Sequence, residues 1–409
     1  MSSSGLNGPQ DPALHQWTDE LDLADYLIAR YEISASCDGM TAALGMAMEQ
    51  SVGATRIHAY VDSAALAPSC IRVRAVQCLP EPPATTVAPY RLHTPVYGAD
   101  APSAGSYEIE LAVPLALLAG KPAQLWNILV GELPRLGFIS RFRLVEAMLP
   151  EGFGPGPGFA VGGLRALARQ ATGPLLCRSM RPAVGLDIET MARLNRDVLI
   201  GGFHIVKDDE LHVFPDQEAF ERHIRAMRAA RDAAIARTGE KKLYFANLIC
   251  EPWELAERWE TCCRLGVDGV LIAPWIQGLG TLVHLARQRR MPILAHNTLG
   301  ELLTRHPDWR VEERVLWQWL HLLGADMIVT PGDFGDAPGP DLVWPGDATR
   351  PGPLPILQGG KNPDDLPRYR QAVGSDDFML IVASWVDHHP DGLIEAARTF
   401  RAALSSPAS

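Results

Sequence analysis

From about residue 174 to the C-terminus, short apolar runs alternate with longer amphipathic segments, and this alternation leaves few folds open. The runs at 175–180, 202–207, 243–249, 269–275, 292–296, 326–330, 355–359 and 378–384 read as strands. Segments 217–238, 253–265, 281–289, 311–323, 364–373 and 393–404 read as their helical partners. Strand and helix in strict alternation is the signature of βα units on a parallel sheet. Eight such units in roughly 235 residues match a closed (β/α)8 barrel, whose chemistry collects at the C-terminal ends of the strands. Lys207, Asp209, Glu210, His296, Gly359, Gly360 and Ser384 all fall at such ends, far apart in the chain yet able to share one barrel mouth.

The first 145 or so residues have another texture. Strand-like 27–35, 71–77 and 107–113 accompany a helix-like 41–49, giving an α+β, ferredoxin-like domain. The expected organisation is a flexible leader at 1–20, an N-terminal α+β domain at 21–148 and the barrel at 149–409. Gly152-Phe-Gly-Pro-Gly-Pro-Gly-Phe159 is too rich in Gly and Pro for an element interior and reads as a linker or active-site loop. A second Pro/Gly-rich stretch, 330–355, follows strand six, where barrel enzymes often keep a lid. Either stretch can equally be a plain connector.

Charge and composition exclude several function classes. A formal charge of -11 and a pI near 5.6 argue against a nucleic-acid or anionic-membrane partner, which would call for a basic patch. No apolar run is long enough to cross a bilayer. Seven cysteines, an odd set without C-x-x-C spacing, fit reduced thiols in a cytoplasmic protein.

The densest chemistry lies in Gly201-Gly202-Phe203-His204-Ile205-Val206-Lys207-Asp208-Asp209-Glu210. Side chains alternate along a strand, so Lys207 and Asp209 point the same way, and Glu210 can swing in once the strand ends. Two hard carboxylates suit Mg2+. A lysine ammonium repels that cation, so Lys207 contributes as a salt-bridge partner or after CO2 converts it to an anionic carbamate. A solvated acidic turn with Lys207 paired to a carboxylate is the plainer alternative. By the same alternation His204 faces away, toward the core or the helices. Gly359-Gly360 after a strand is by itself a weak phosphate signal, strengthened by its place at strand seven. His388-His389-Pro390 reads as a turn, and Trp317, Trp319 and Cys262-Cys263 as packing.

With these residues assembled, the chain resembles the large subunit of ribulose-bisphosphate carboxylase, and more closely the RuBisCO-like (type IV) proteins, from about Tyr31 to Ala403. The resemblance implies that Lys207, carbamylated by CO2, holds Mg2+ with Asp209 and Glu210. It also aligns Glu49, Asn127, Arg181 and His296 with catalytic positions, and Gly359, Gly360, Ala383 and Ser384 with a phosphate site. In the family, residues such as Glu49 and Asn127 enter the partner subunit's barrel mouth, so a homodimer is implied.

The departures bear on activity. Where the carboxylase has a lysine base after strand one, this chain has Arg181, which stays protonated and can clamp an anion but not abstract a proton. The second lysine of that motif is Ala183, the phosphate-binding arginine after strand five is Asn297, and the strand-six histidine is Val329. No lysine occurs in 330–355. The far phosphate site of a bisphosphate is thereby dismantled, which argues against CO2 fixation. The expectation is a Mg2+-dependent enzyme forming an enolate or enediolate on a small phosphorylated keto sugar acid. Arg181 would bind a carboxylate lost as CO2, making a β-keto sugar-acid phosphate decarboxylase. The alternatives are a 2,3-diketo-5-methylthiopentyl-1-phosphate enolase or related isomerase, and a non-catalytic interaction protein.

Overall fold

A computed structural model of the chain describes residues 12–51, 67–80, 105–150, 152–183, 185–330 and 352–404. These form two compact units, one up to Gly154 with the excursion Gly300–Trp319, the other Pro155–Leu299 with Leu320–Ser409.

The first unit is built on a five-stranded sheet in the order β10-β4-β1-β3-β2. Central β1 (Tyr26–Ala35) alternates buried and half-buried residues along its whole length. Leu27, Ala29, Tyr31, Ile33 and Ala35 therefore share the core face. It pairs antiparallel with β3 (Gly105–Pro114) and β4 (Ile139–Met148), and β3 pairs with β2 (Arg72–Leu79). Helix Gly39–Glu49 starts at Asp38, whose side chain accepts from the Thr41 N–H at 3.0 Å. Two expectations need correction. The supposed leader is structured from Pro12: Pro12–His15 is a 3-10 turn, the ring Nδ1 of buried His15 lies 2.8 Å from the Ile71 carbonyl, and the Trp17 N–H donates to Val73. The helix expected at 311–323 is Glu313–Leu323, and Val311 at its expected start instead ends β10 (Trp309–Val311), which pairs parallel with β4. Gly300–Trp319 thus belongs to the first unit rather than to the barrel.

The second unit is a closed barrel, in the order β11-β12-β13-β5-β6-β7-β8-β9. Its strands are β5 (Leu175–Ser179), β6 (Ile205–Lys207), β7 (Leu243–Asn247), β8 (Gly269–Ile272), β9 (Ile293–Ala295), β11 (Met327–Val329), β12 (Leu354–Leu357) and β13 (Met379–Val382). All eight expected runs are strands, and every pairing is parallel. Inward residues such as Leu175, Cys177, Ile205 and Phe245 fill the barrel, while Leu176, Phe203 and Leu380 pack outward under the helices. Helix Gln217–Thr238 has the expected bounds, capped by the Asp216 side chain and ended by left-handed Gly239. Helices Ala160–Ala168 and Ile188–Gly201 were not foreseen. None of the seven cysteines is in a disulfide, and no helix among the described residues is long and apolar enough to span a membrane.

Candidate active site at the barrel mouth

β6 is only three residues long, yet its alternation fixes the site. Ile205 joins the barrel interior, so Lys207 follows it inward and is 1% exposed. Lys207 Nζ donates to the Asp208 carbonyl at 3.1 Å and to Glu210 Oε2 at 3.3 Å. Asp209 is fully buried, and its Oδ2 accepts from Ser179 Oγ at 3.1 Å and pairs with Arg181 Nε at 2.9 Å. Its Oδ1 accepts from the Leu211 N–H at 3.1 Å, which fixes the turn leaving the strand. Glu210 takes Arg181 Nη2 on Oε1 at 3.1 Å and lies 3.5 Å from His296 Nε2.

Five predicted residues from three strand ends, Arg181, Lys207, Asp209, Glu210 and His296, therefore converge. Burial pushes the Glu210 carboxyl up, but the neighbouring Lys207 ammonium and His296 outweigh it and hold the group at about 2. For His296, burial and then the Lys207 charge lower the imidazole to about 4, so it is neutral at physiological pH. Its Nδ1 lies 2.8 Å from Thr298 Oγ1, and its backbone N–H donates to the Ile272 carbonyl.

The remaining candidates lie elsewhere. After β12, Gly359 and Gly360 have φ of 78° and 56°, a left-handed pair that favours glycine. After β13, Ala383 precedes the short helix Ser384–Asp387, with Ser384 exposed. Glu49, half-buried, ends its helix, and Asn127 donates to Gln124 at 2.7 Å on an exposed face. Both belong to the first unit. Most of the expected lid falls outside the described residues. His204 faces outward as expected, its Nδ1 accepting from the Leu176 N–H at 2.9 Å.

Sequence reasoning missed Arg178 and Ser179 on β5. Arg178 is 1% exposed, paired through Nη2 with Asp387 at 2.8 Å, and donates to the Arg181 carbonyl at 3.1 Å. It positions the loop that carries Arg181. An arginine within the apolar run Leu-Leu-Cys-Arg-Ser was the available signal, since a charge in a buried strand needs a partner.

Outward-facing Asp208 anchors a second group. Its Oδ1 lies 2.9 Å from His223 Nε2, and its Oδ2 accepts from Tyr244 OH at 2.7 Å and the Asn247 N–H at 3.1 Å. Burial raises the Asp208 carboxyl, yet His223 and these hydrogen bonds keep it below the ordinary carboxylate range.

The inward residues fit a hard divalent ion. Asp209 and Glu210 share one guanidinium, so their oxygens already converge on positive charge, and a carbamate on Lys207 would add a third anionic oxygen.

Residues 161–343 match the family model described as "Ribulose bisphosphate carboxylase large chain, catalytic domain". The chain thus carries a RuBisCO large-chain catalytic domain and has RuBisCO-like proteins as homologues. A "Ribulose bisphosphate carboxylase-like protein" of Archaeoglobus fulgidus is 27% identical over 316 residues, 74% of this chain and 71% of that one. A "2,3-diketo-5-methylthiopentyl-1-phosphate enolase" of Geobacillus thermodenitrificans is 28% identical over 263 residues, 62% of this chain and 63% of the enolase. The crystal structure of a rubisco-like protein from Alicyclobacillus acidocaldarius superposes with a TM-score of 0.76 at 26% identity, covering 93% of each chain.

Proposed function

We propose that the protein is a Mg2+-dependent enzyme that forms an enolate from a small phosphorylated β-keto sugar acid by decarboxylation. The observation that carries this reading is Arg181: a permanently protonated guanidinium, half-exposed, reaching the same two carboxylates that would hold the ion. Lys207 as a carbamate, with Asp209 and Glu210, would hold Mg2+, which would supply the charge that polarises a substrate ketone. Arg181, freed from its carboxylates, is placed to grip the substrate carboxylate and orient its C–C bond. That bond breaks, CO2 leaves, and the electron pair passes into the ketone as an enolate, which is then protonated at carbon. No strong base is required. His296, whose burial disfavours the charged imidazole, orients the substrate by hydrogen bonding. Gly359, Gly360, Ala383 and Ser384 offer backbone and hydroxyl donors to the phosphate. Glu49 and Asn127 are assigned to the mouth of a partner subunit in a homodimer.

A second reading, enolisation of a diketo phosphate, draws support from the relative named as an enolase. It needs a proton-abstracting group, and Arg181 cannot be one. A panel of phosphorylated β-keto acids and diketo phosphates, assayed with Mg2+ and bicarbonate, separates the two. CO2 release supports decarboxylation, whereas α-proton exchange without CO2 supports enolisation. Mass spectrometry of the native protein should find one added CO2, absent in Lys207→Arg. Turnover undiminished in that variant would remove the mechanism.

A further inference from the structure

On the reverse side of β6, consecutive residues of the motif point into a different environment. Asp208, His212 and His223 each bring one ligand atom to within 4.8 Å of the others. Asp208 is fully buried, His223 is 3% exposed and His212 is 9% exposed. His223 comes from helix Gln217–Thr238 and stands edge-on to the His212 ring, with centroids 4.4 Å apart. His212 Nδ1 is buried and has no hydrogen-bond partner among the described residues. An orphaned buried ring nitrogen beside a buried carboxylate and a second imidazole calls for a ligand.

We infer that Asp208, His212 and His223 form a site for a borderline-soft divalent ion of the Zn2+ class, separate from the inward carboxylates. Two imidazoles and one carboxylate suit such an ion, whereas Mg2+ prefers an all-oxygen set. Two of the three ligand atoms need little change, and the His212 ring must close in from within 4.8 Å. Asp208 Oδ1 and His223 Nε2 lie 2.9 Å apart, and metal–ligand distances of about 2.0–2.2 Å require that gap to widen by only a few tenths of an ångström. Entry of the ion displaces the hydrogen-bonding proton between these two atoms to solvent. Tyr244 and the Asn247 N–H hold Asp208 Oδ2 and orient the carboxylate, as outer partners of metal ligands do. The Asn247 side chain also donates to the His212 carbonyl at 3.1 Å, fixing the loop that carries the third ligand. Access is available, because His212 lines a cavity of about 770 Å³ that also includes Phe214, Cys250 and Arg258. A bound ion would tie the turn at 208–212 to the helix of His223 and so steady the strand end that presents Lys207 and Asp209.

The test titrates the full chain, held in saturating Mg2+ and bicarbonate, with Zn2+ and with Co2+ as a spectroscopic probe. One equivalent should bind, with the visible bands of low-coordinate Co2+. His212→Phe, which keeps the stacked ring against Phe214 but removes the ligand nitrogen, should weaken binding by at least ~10- to 100-fold, since even outer-shell losses cost that much. Glu210→Gln should bind Zn2+ like the unaltered protein. Folding of both variants is checked by circular dichroism. Binding lost in Glu210→Gln but retained in His212→Phe would place the ion among the inward carboxylates and overturn the assignment. Binding unchanged in both, or no binding by the unaltered chain, overturns it equally. Because the readout is metal uptake, the result is independent of the proposed decarboxylation.

Discussion

Arg181 Nε lies 2.9 Å from Asp209 Oδ2, so a side chain half in solvent neutralises a carboxylate that has no contact with water. Arg181 and a divalent ion must compete for that oxygen, and for Glu210 as well. Removing the guanidinium should therefore tighten Mg2+ while harming catalysis. Exposure of Arg181 limits the effect through solvent screening, to on the order of tenfold in affinity, or about 1.4 kcal/mol. For Arg181→Gln, calorimetric titration with Mg2+ in bicarbonate should show tighter binding, together with turnover reduced 100-fold or more, on the order of 2.7 kcal/mol. Weaker Mg2+ binding in this variant would mean that Arg181 organises the ligands rather than competing with the ion.

The glycine pair that opens the motif has a packing reason as well as a place beside the chemistry. A Cβ on Gly201 would sit 2.5 Å from both Ala397 Cβ and the Ile394 carbonyl oxygen. Helix Ile188–Gly201 thus ends against helix Gly392–Leu404 at a distance only glycine allows. Gly201→Ala should destabilise the barrel by about 1–3 kcal/mol, the usual range for overpacking, seen as a lower midpoint in denaturant. A change within a few tenths of a kcal/mol would show that the helices can separate without loss.

Much of this was legible in the chain. A buried parallel strand announces itself as a short apolar run, so all eight barrel strands could be found, and period-two alternation correctly sorted Lys207 and Asp209 from His204. What stayed hidden depends on contacts distant in sequence. Strand β10 is three residues, too short for a period, and exists because Trp309, Arg310 and Val311 pair with β4 more than 160 residues earlier. Arg178 is a charge inside an apolar run whose partner, Asp387, lies more than 200 residues away in the chain. His212 and His223 carry no spacing signature, because a loop and a helix bring them to Asp208.

His204 supplies a pH test away from the inward carboxylates. Burial, followed by the charge of Arg401, lowers its imidazole well below the ordinary histidine range. Below about pH 6.5 the unfolded chain takes a proton there that the native state refuses. Stability is thus full above that pH and falls as pH drops through and below it. His204→Gln retains an acceptor for the Leu176 N–H without the titration. Denaturant unfolding from pH 7.5 to 5 should show a shallower acid loss in the variant than in the unaltered chain. Parallel curves would assign the acid sensitivity to other groups.

Asp326, immediately before β11, holds the Gly/Pro-rich stretch in place. Its Oδ1 accepts from the Phe159 N–H at 2.6 Å and the Ala160 N–H at 2.9 Å, and its Oδ2 from the Ile293 N–H at 2.9 Å. Burial raises this carboxyl despite the three backbone donors, so it sits in a site that water barely reaches. Asp326→Ala strands three backbone N–H groups, each costing about 1–3 kcal/mol if left unsatisfied. Partial entry of water should bring the sum to about 3–4 kcal/mol, while Asp326→Asn, which keeps acceptor capacity on one side only, should cost about half as much. Chemical denaturation gives both values, and hydrogen exchange locates the loss, since Phe159 and Ala160 should lose protection before the strands of the barrel do. If Asp326→Ala matches the unaltered chain in both measurements, the stretch at 152–159 is held by its own backbone contact, from the Gly156 N–H to the Leu322 carbonyl, and not by the carboxylate.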